Sequence, residues 1–324
     1  GAGAGGGAGG VAPGPGIPAT PAEVWQQTSR IGRRMGALVS RAPPARRECI
    51  DRTNDCFRAL LSERRGPYYE DEQVAMHMSL TSSNSGSRPC LDFDVAVANR
   101  GVRPIHEVRL VPGEPVAFCE LRVQQDPQAQ PGGRVAPRQR ATFHGQLAAL
   151  GPFEAAPQVI LSYFLPDDSE CRVRLRLPLA ISQLMSPSKV EAREAVDLWG
   201  SEDFVRGEVA AACAVRGTLL SSGAPFSVWR ALELGGALAS VPGATESPRG
   251  ILLVSSYPQK GQRVPALILA RVELGGPGGL RAGPPADAKA CRVCVRSASH
   301  LVNRALTQAL LDVLCEVADP VLMP

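Results

Sequence analysis

The stretch LDFDVAVA, residues 91–98, alternates strictly: Leu91, Phe93, Val95 and Val97 stand against Asp92, Asp94, Ala96 and Ala98. Side chains leave a strand alternately from its two faces, so this pattern describes a strand with one face buried and one in water. The same period recurs on both sides of it. Val173, Leu175 and Leu177 alternate with Arg172, Arg174 and Arg176, and shorter runs lie near 72–81, 105–111, 118–123, 140–147 and 158–164. Turn residues separate them, among them Asn99-Arg100-Gly101, Pro112-Gly113, Gly132-Gly133 and Pro166-Asp167-Asp168. About seven short strands at this spacing predict an antiparallel, immunoglobulin-like β-sandwich over 53–182. A short helical pattern near 53–64 (Cys56, Phe57, Leu60, Leu61) leads into it. The arginines of 172–176 read as a solvated outer face.

Beyond 182 the periodicity becomes mixed. Ser188 and Glu191 match a capping box behind Pro187, opening a helix that closes at Gly200, with Ala192, Ala195, Val196 and Trp199 on one stripe. A second helix is expected over about 203–214. Strand-like runs follow near 227–233, 250–256, 265–274 and 290–297, interrupted by a Gly/Pro-rich segment at 275–288. The last helix, about 299–318, carries Val302, Ala305, Leu306, Ala309, Leu310, Val313, Leu314 and Val317 on one broad face. This order predicts an α+β platform over 183–324, an antiparallel sheet with helices packed on one face. Residues 1–52, rich in Gly, Pro and Arg, read as a flexible hinge. Within them Trp25, Ile31, Met35 and Leu38 sit among Arg30, Arg33, Arg34 and Arg41, a basic amphipathic pattern suited to a membrane surface or a partner.

Bulk properties narrow the function. The net charge of +4 over 324 residues is too small for general coating of nucleic acid. Only Lys189, Lys260 and Lys289 are lysines; the other cations are arginines, which favour flat bidentate contacts with carboxylates. The nine cysteines are scattered around a single C-x-x-C at Cys291 and Cys294, whose side chains leave a strand on opposite faces. Reduced thiols, no structural zinc and no cofactor are expected. No apolar run reaches the ~18 residues that span a bilayer. A first residue that is Gly suggests a piece of something longer.

The chemistry falls on one face of the platform sheet. In the strand Ala266–Leu274, Ile268, Ala270, Val272 and Leu274 share one face, and Arg271 and Glu273 the other. In Cys291–Ser297, Val293 and Val295 oppose Arg292, Cys294 and Arg296. The apolar faces turn inward, so Arg271, Glu273, Arg292 and Arg296 look out, with Trp199 beside a glycine at a helix end. An indole next to guanidiniums suits a short peptide carrying Asp or Glu near Phe or Trp: the ring supplies most of the energy and arginine–carboxylate bonds set the register.

LAISQLMSPSKVEAREAVDLW (179–199), ARVEL (270–274) and CRVCVRSASHLVNRALTQALLDVL (291–314) resemble, in order, the platform of the α-adaptin appendage of clathrin adaptor complex 2. Upstream, DCFRALL (55–61) and YYEDEQVAMHM (68–78) are similar to the start of its sandwich. The resemblance implies a non-enzymatic clathrin adaptor ear. It would bind Asp-Pro-Phe, Asp-Pro-Trp or Phe-x-Asp-x-Phe motifs of disordered endocytic accessory proteins at plasma-membrane coated pits. The family's peptide site would fall on Trp199, Arg271, Glu273, Arg292 and Arg296. Where the family carries aromatics before that tryptophan, this chain has Ala195 and Val196, which implies a shallower pocket. Other adaptor subunits and the clathrin coat would be reached through a trunk outside this chain, as would lipid and cargo.

Two other readings compete. A coatomer-type appendage shares the two-part architecture. A cysteine-dependent hydrolase using His77, His106, His144 or His300 lacks both a G-x-S-x-G elbow and an H-E-x-x-H pair.

Overall fold

The computed structural model describes residues 44–83, 89–125, 133–215, 232–244, 250–258, 266–274 and 290–314. Helix α1 (Pro44–Glu63) precedes nine strands: β1 (Arg65–Glu70), β2 (Val74–Ser83), β3 (Cys90–Asn99), β4 (Ile105–Pro112), β5 (Cys119–Gln125), β6 (Arg134–Val135), β7 (Arg140–Ala149), β8 (Gln158–Phe164) and β9 (Glu170–Arg176). They form two antiparallel sheets, in the orders β1-β2-β3-β7-β5 and β6-β4-β8-β9. The alternation that defines β3 holds: Leu91, Phe93, Val95 and Val97 are buried while Asp94 is exposed. Burial of such a set of side chains is what selects this register, since a slip of one residue would turn all of them to water.

Two strands of the sandwich escaped the sequence reading. β1 contains Gly66-Pro67 and lies at a sheet edge, where a missing N–H costs no ladder bond. β6 is only two residues long. Helix α1 begins at Pro44, earlier than the helix expected near 53, so the end of the segment read as hinge is helical. Residues 1–43 lie outside the described residues.

Gly145 sits opposite Phe93 in the β3–β7 register, and the phenyl ring occupies the space a side chain there would need. A Cβ on Gly145 would lie 2.0 Å from Phe93 Cζ. Gly145→Val should therefore cost about 1–3 kcal/mol by overpacking, read as a lower urea midpoint with an unchanged m value.

The second unit is one antiparallel sheet, β10 (Ser186–Pro187), β13 (Gly250–Tyr257), β14 (Ala266–Leu274), β15 (Ala290–Arg296) and β11 (Val209–Ala214) in that order, with β12 (Ala239–Ser240) beside β13. Helix α4 (His300–Leu314) covers one face, burying Val302, Ala305, Leu306, Ala309, Leu310, Val313 and Leu314. Helices α2 (Ala192–Gly200) and α3 (Glu202–Arg206) belong to the other side. The expected helix over 203–214 is thus corrected: it stops at Arg206, Gly207 turns the chain, and Val209–Ala214 pairs with β15 as a strand. The capping box is corrected too. Glu191 is the N-cap and makes no side-chain cap bond. The expected run near 227–233 lies mostly outside the described residues, as do 315–318.

One core runs through both units. Leu177, Leu179, Ile181, Leu184 and Met185 carry it from the sandwich into the platform, and Phe57, Leu60 and Leu61 of α1 join it. Arg176 is not merely solvated. Its guanidinium lies over Phe57 and pairs with Asp312 of α4, so one side chain ties α1, sandwich and platform together. On the far platform face a smaller cluster, Ala195, Val241, Leu252, Val254 and Leu269, packs beneath α2. The sheet therefore has helices on both faces, not one.

Candidate functional site: the outer platform face

Register fixes which residues meet on that far face. Leu252, Arg271, Cys294 and Ala210 form one row across β13, β14, β15 and β11. Gly250, Glu273, Arg292 and Ala212 form the next row outward. Val254, Leu269 and Arg296 form the row on the other side, nearest α2. Alternate residues on a strand stand roughly 7 Å apart, so the three guanidiniums are strung along one face over roughly 14 Å.

Trp199 closes the inner end. Its half-buried indole packs against the small cluster, and the Arg296 guanidinium carbon stands 4.3 Å from the ring centroid. Arg296 also donates to the Trp199 carbonyl, and its Nε donates to Glu208 Oε2 at 2.7 Å. With side chains 17% and 27% exposed, this ion pair is screened far less than a surface pair. It holds the guanidinium flat on the indole. Gly200 does not create this exposure, since a Cβ there would meet nothing within 4 Å.

The remaining charges are more open. Arg271 bonds Glu273 at 2.6 Å, both about a third exposed, while its Nε is buried without a partner. Arg292 is exposed and makes no ion pair among the described residues, although Glu273 stands opposite it in register. The structure thus brings all five sequence-chosen residues onto one surface and assigns them unequal states. Arg296 is paired with Glu208 and Arg271 with Glu273, while Arg292 has no ion-pair partner among the described residues.

Glu208 is the residue that sequence reading missed. It precedes Val209, which pairs with Val295, and so falls beside Arg296. Its proximity also explains Cys294. Burial first, then the charge and hydrogen bond of Glu208, push that thiol up to about 12. A thiol raised in this way carries little thiolate at neutral pH. Among the described residues no group of three or more His, Cys, Asp or Glu is placed to hold a metal, and no helix is long and apolar enough to cross a membrane. Cys119, Cys171, Cys291 and Cys294 form no disulfide among the described residues.

Of the α2 stripe, Ala195 is fully buried and Ala192 and Trp199 half-buried, but Val196 is 51% exposed and Leu198 takes its place against the cluster. Neither Ala195 nor Val196 supplies a wall beside the indole as an aromatic would.

No family model matches the chain, and no curated protein matches it. Among solved structures, the GAE domain of yeast GGA1 is similar at 16% identity, covering 36% of this chain and 99% of that one, with a TM-score of 0.28. The GAE domain of GGA2p from Saccharomyces cerevisiae is similar at 15% identity, covering 36% and 98%, with a TM-score of 0.28. A FixG-related protein from Vibrio parahaemolyticus is similar at 12% identity, covering 34% and 100%, with a TM-score of 0.19.

Proposed function

We propose that this chain is an appendage-type binding module whose outer platform face captures short acidic-aromatic peptides, in the manner of a clathrin adaptor ear serving endocytosis and vesicle transport. One observation carries this reading: an indole clamped by Arg296, followed along the same face by Arg271 and by Arg292, which has no ion pair among the described residues. A ligand ring gains by packing on the rim of Trp199. A carboxylate one or two rows away finds Arg271 or Arg292 already aimed at solvent. A Phe-x-Asp-x-Phe or Asp-Pro-Phe/Trp segment in extended form fits that spacing, since an extended residue covers roughly 3.3 Å.

A single buried ring with one or two charged bonds leaves roughly micromolar affinity or weaker after the costs of association. Useful strength then comes from several motifs on one disordered partner, through effective concentration. The activity is binding without catalysis. The site of action is peripheral, at clathrin-coated membrane.

Arg292→Glu tests the electrostatic half of this reading. Calorimetry with an Asp-Pro-Phe-type peptide should show affinity lowered about tenfold, since a charge-assisted bond is lost and a like charge is introduced. A matching peptide with Asn in place of Asp should bind wild type and variant alike. Equal loss for both peptides would show that Arg292 holds the fold and not the ligand.

A further inference from the structure

Among the described residues, strand β5 is the last of its sheet and pairs with β7 alone. The Leu150 N–H donates to the Phe118 carbonyl at 2.8 Å, in the register that sets Cys119 against Ala149. Bonded and non-bonded pairs alternate along an antiparallel ladder. Glu120 and Arg122 therefore turn their backbone groups toward β7, and Leu121 and Val123 turn theirs to the open side. Among the described residues those outward groups of Leu121 and Val123 meet no hydrogen-bond partner. At the other edge of the same sheet, β1 is protected by Pro67 and by a break in register beside it. β5 has no proline, and its register is unbroken. Its underside is apolar and incompletely covered, with Cys119, Leu121 and Val123 half-buried against the main core. Its upper side carries Glu120 and Arg122, exposed and loosely paired at 3.6 Å.

We infer that β5 pairs antiparallel with β5 of a second copy, about a twofold axis at Leu121. Charge selects this register. Outward-facing residues must meet for the backbones to bond, so the pairing shifts only in steps of two residues. Centred at Leu121, each Glu120 faces Arg122 of the second copy, and Leu121 faces its own counterpart. One step in one direction sets Arg122 against Arg122, and one step in the other sets Glu120 against Glu120. Like charges directly opposite each other destabilise a strand pair, and opposite charges stabilise it. The two Leu121 residues exchange N–H and carbonyl bonds, and each Val123 N–H reaches the Cys119 carbonyl of the other copy. The Cys119 N–H is already turned to the Val116 carbonyl. Such a contact uses the same patch on both copies, so it closes at two. It does not rest on the peptide reading. Combined with that reading, it presents two outer platform faces to one partner carrying several motifs.

So short a contact lies below the standard interface size, which places the dissociation constant at roughly 100 µM. Sedimentation velocity of the full chain at low salt, from about 10 µM to about 1 mM, is the test. Wild type should pass from one copy to two. Over the same range the Leu121 and Val123 amides should slow their exchange by about threefold or more, while those of β1 stay unchanged. Arg122→Glu and Glu120→Arg should each remain single, because each sets like charges across the axis. Mixed in equal amounts, these two variants should form the mixed pair, a recovery that a misfolded chain would not give. A wild type that stays single throughout overturns the proposal. So does pairing that survives in either variant alone, a mixture that stays single, or growth past two copies.

Discussion

Trp199→Ala should abolish measurable binding of an Asp-Pro-Phe-type peptide, a loss of about 30-fold or more by calorimetry. Buried aromatic anchors truncated to alanine commonly cost upward of about 2 kcal/mol of binding. Here the truncation does two things. It removes the surface on which a ligand ring is proposed to pack, and it frees Arg296 from the ring plane that now orients it. The fold survives, because the indole lies at the rim of the small cluster beneath α2 and not within the main core. A lower thermal midpoint with a native circular dichroism spectrum is expected. Trp199→Phe, which keeps a ring for both contacts, should retain part of the affinity. Peptide binding equal to wild type in the alanine variant would refute the site.

The second large effect falls on stability. Asp312 is 8% exposed on α4, and its carboxylate accepts from Arg176 Nη2 and from Gln308 Nε2, each at 2.9 Å. Its carbonyl accepts from Arg58 Nε, and the Arg176 carbonyl accepts from the Tyr68 hydroxyl. Removing one member of such a buried pair leaves the other charge uncompensated, so Asp312→Ala should cost about 3 kcal/mol. Chemical denaturation should reveal it, with α1 losing exchange protection together with α4, because Arg176 and Arg58 bind both.

The pH dependence of this group has a definite sign. Burial pushes the Asp312 carboxyl above its ordinary value, and the charge of Arg176 and the hydrogen bonds only partly pull it back. A carboxyl raised on folding contributes stability that is fully present below its unfolded value of about 3.9 and declines as pH rises through the folded value. The stability of wild type relative to Asp312→Asn should accordingly fall as pH rises through the carboxylate range. A difference independent of pH would show that the carboxyl is not strained by its burial.

How much of this was legible in the sequence depended on whether local pattern and tertiary demand agreed. The sandwich strands read plainly because half-buried strands impose period two on the chain, as in Leu91 to Val97. β11 did not, because Val209-Ala-Ala-Ala-Cys-Ala favours a helix by intrinsic propensity, and pairing with β15 overrode it. That single error hid Glu208, whose place beside Arg296 follows at once from the strand. It also hid the true charge state of the site. With Glu208 included, three cations face two anions, and the positive surplus narrows to Arg292. The helices of α2 and α3 were recognisable, but α2's contact with the outer sheet face was not. Val254 and Leu269 point out among charged neighbours and look like an ordinary buried strand until the register is known.

The proposed peptide site gathers an indole, three guanidiniums and two carboxylates on one platform face. Amide shift mapping of the isotopically labelled chain, titrated with a Phe-x-Asp-x-Phe peptide, tests it most directly. Saturable shifts clustered at Trp199, Glu208, Arg271–Glu273 and Arg292–Arg296 are the predicted result. Shifts confined to the sandwich, or none at millimolar peptide, would contradict it.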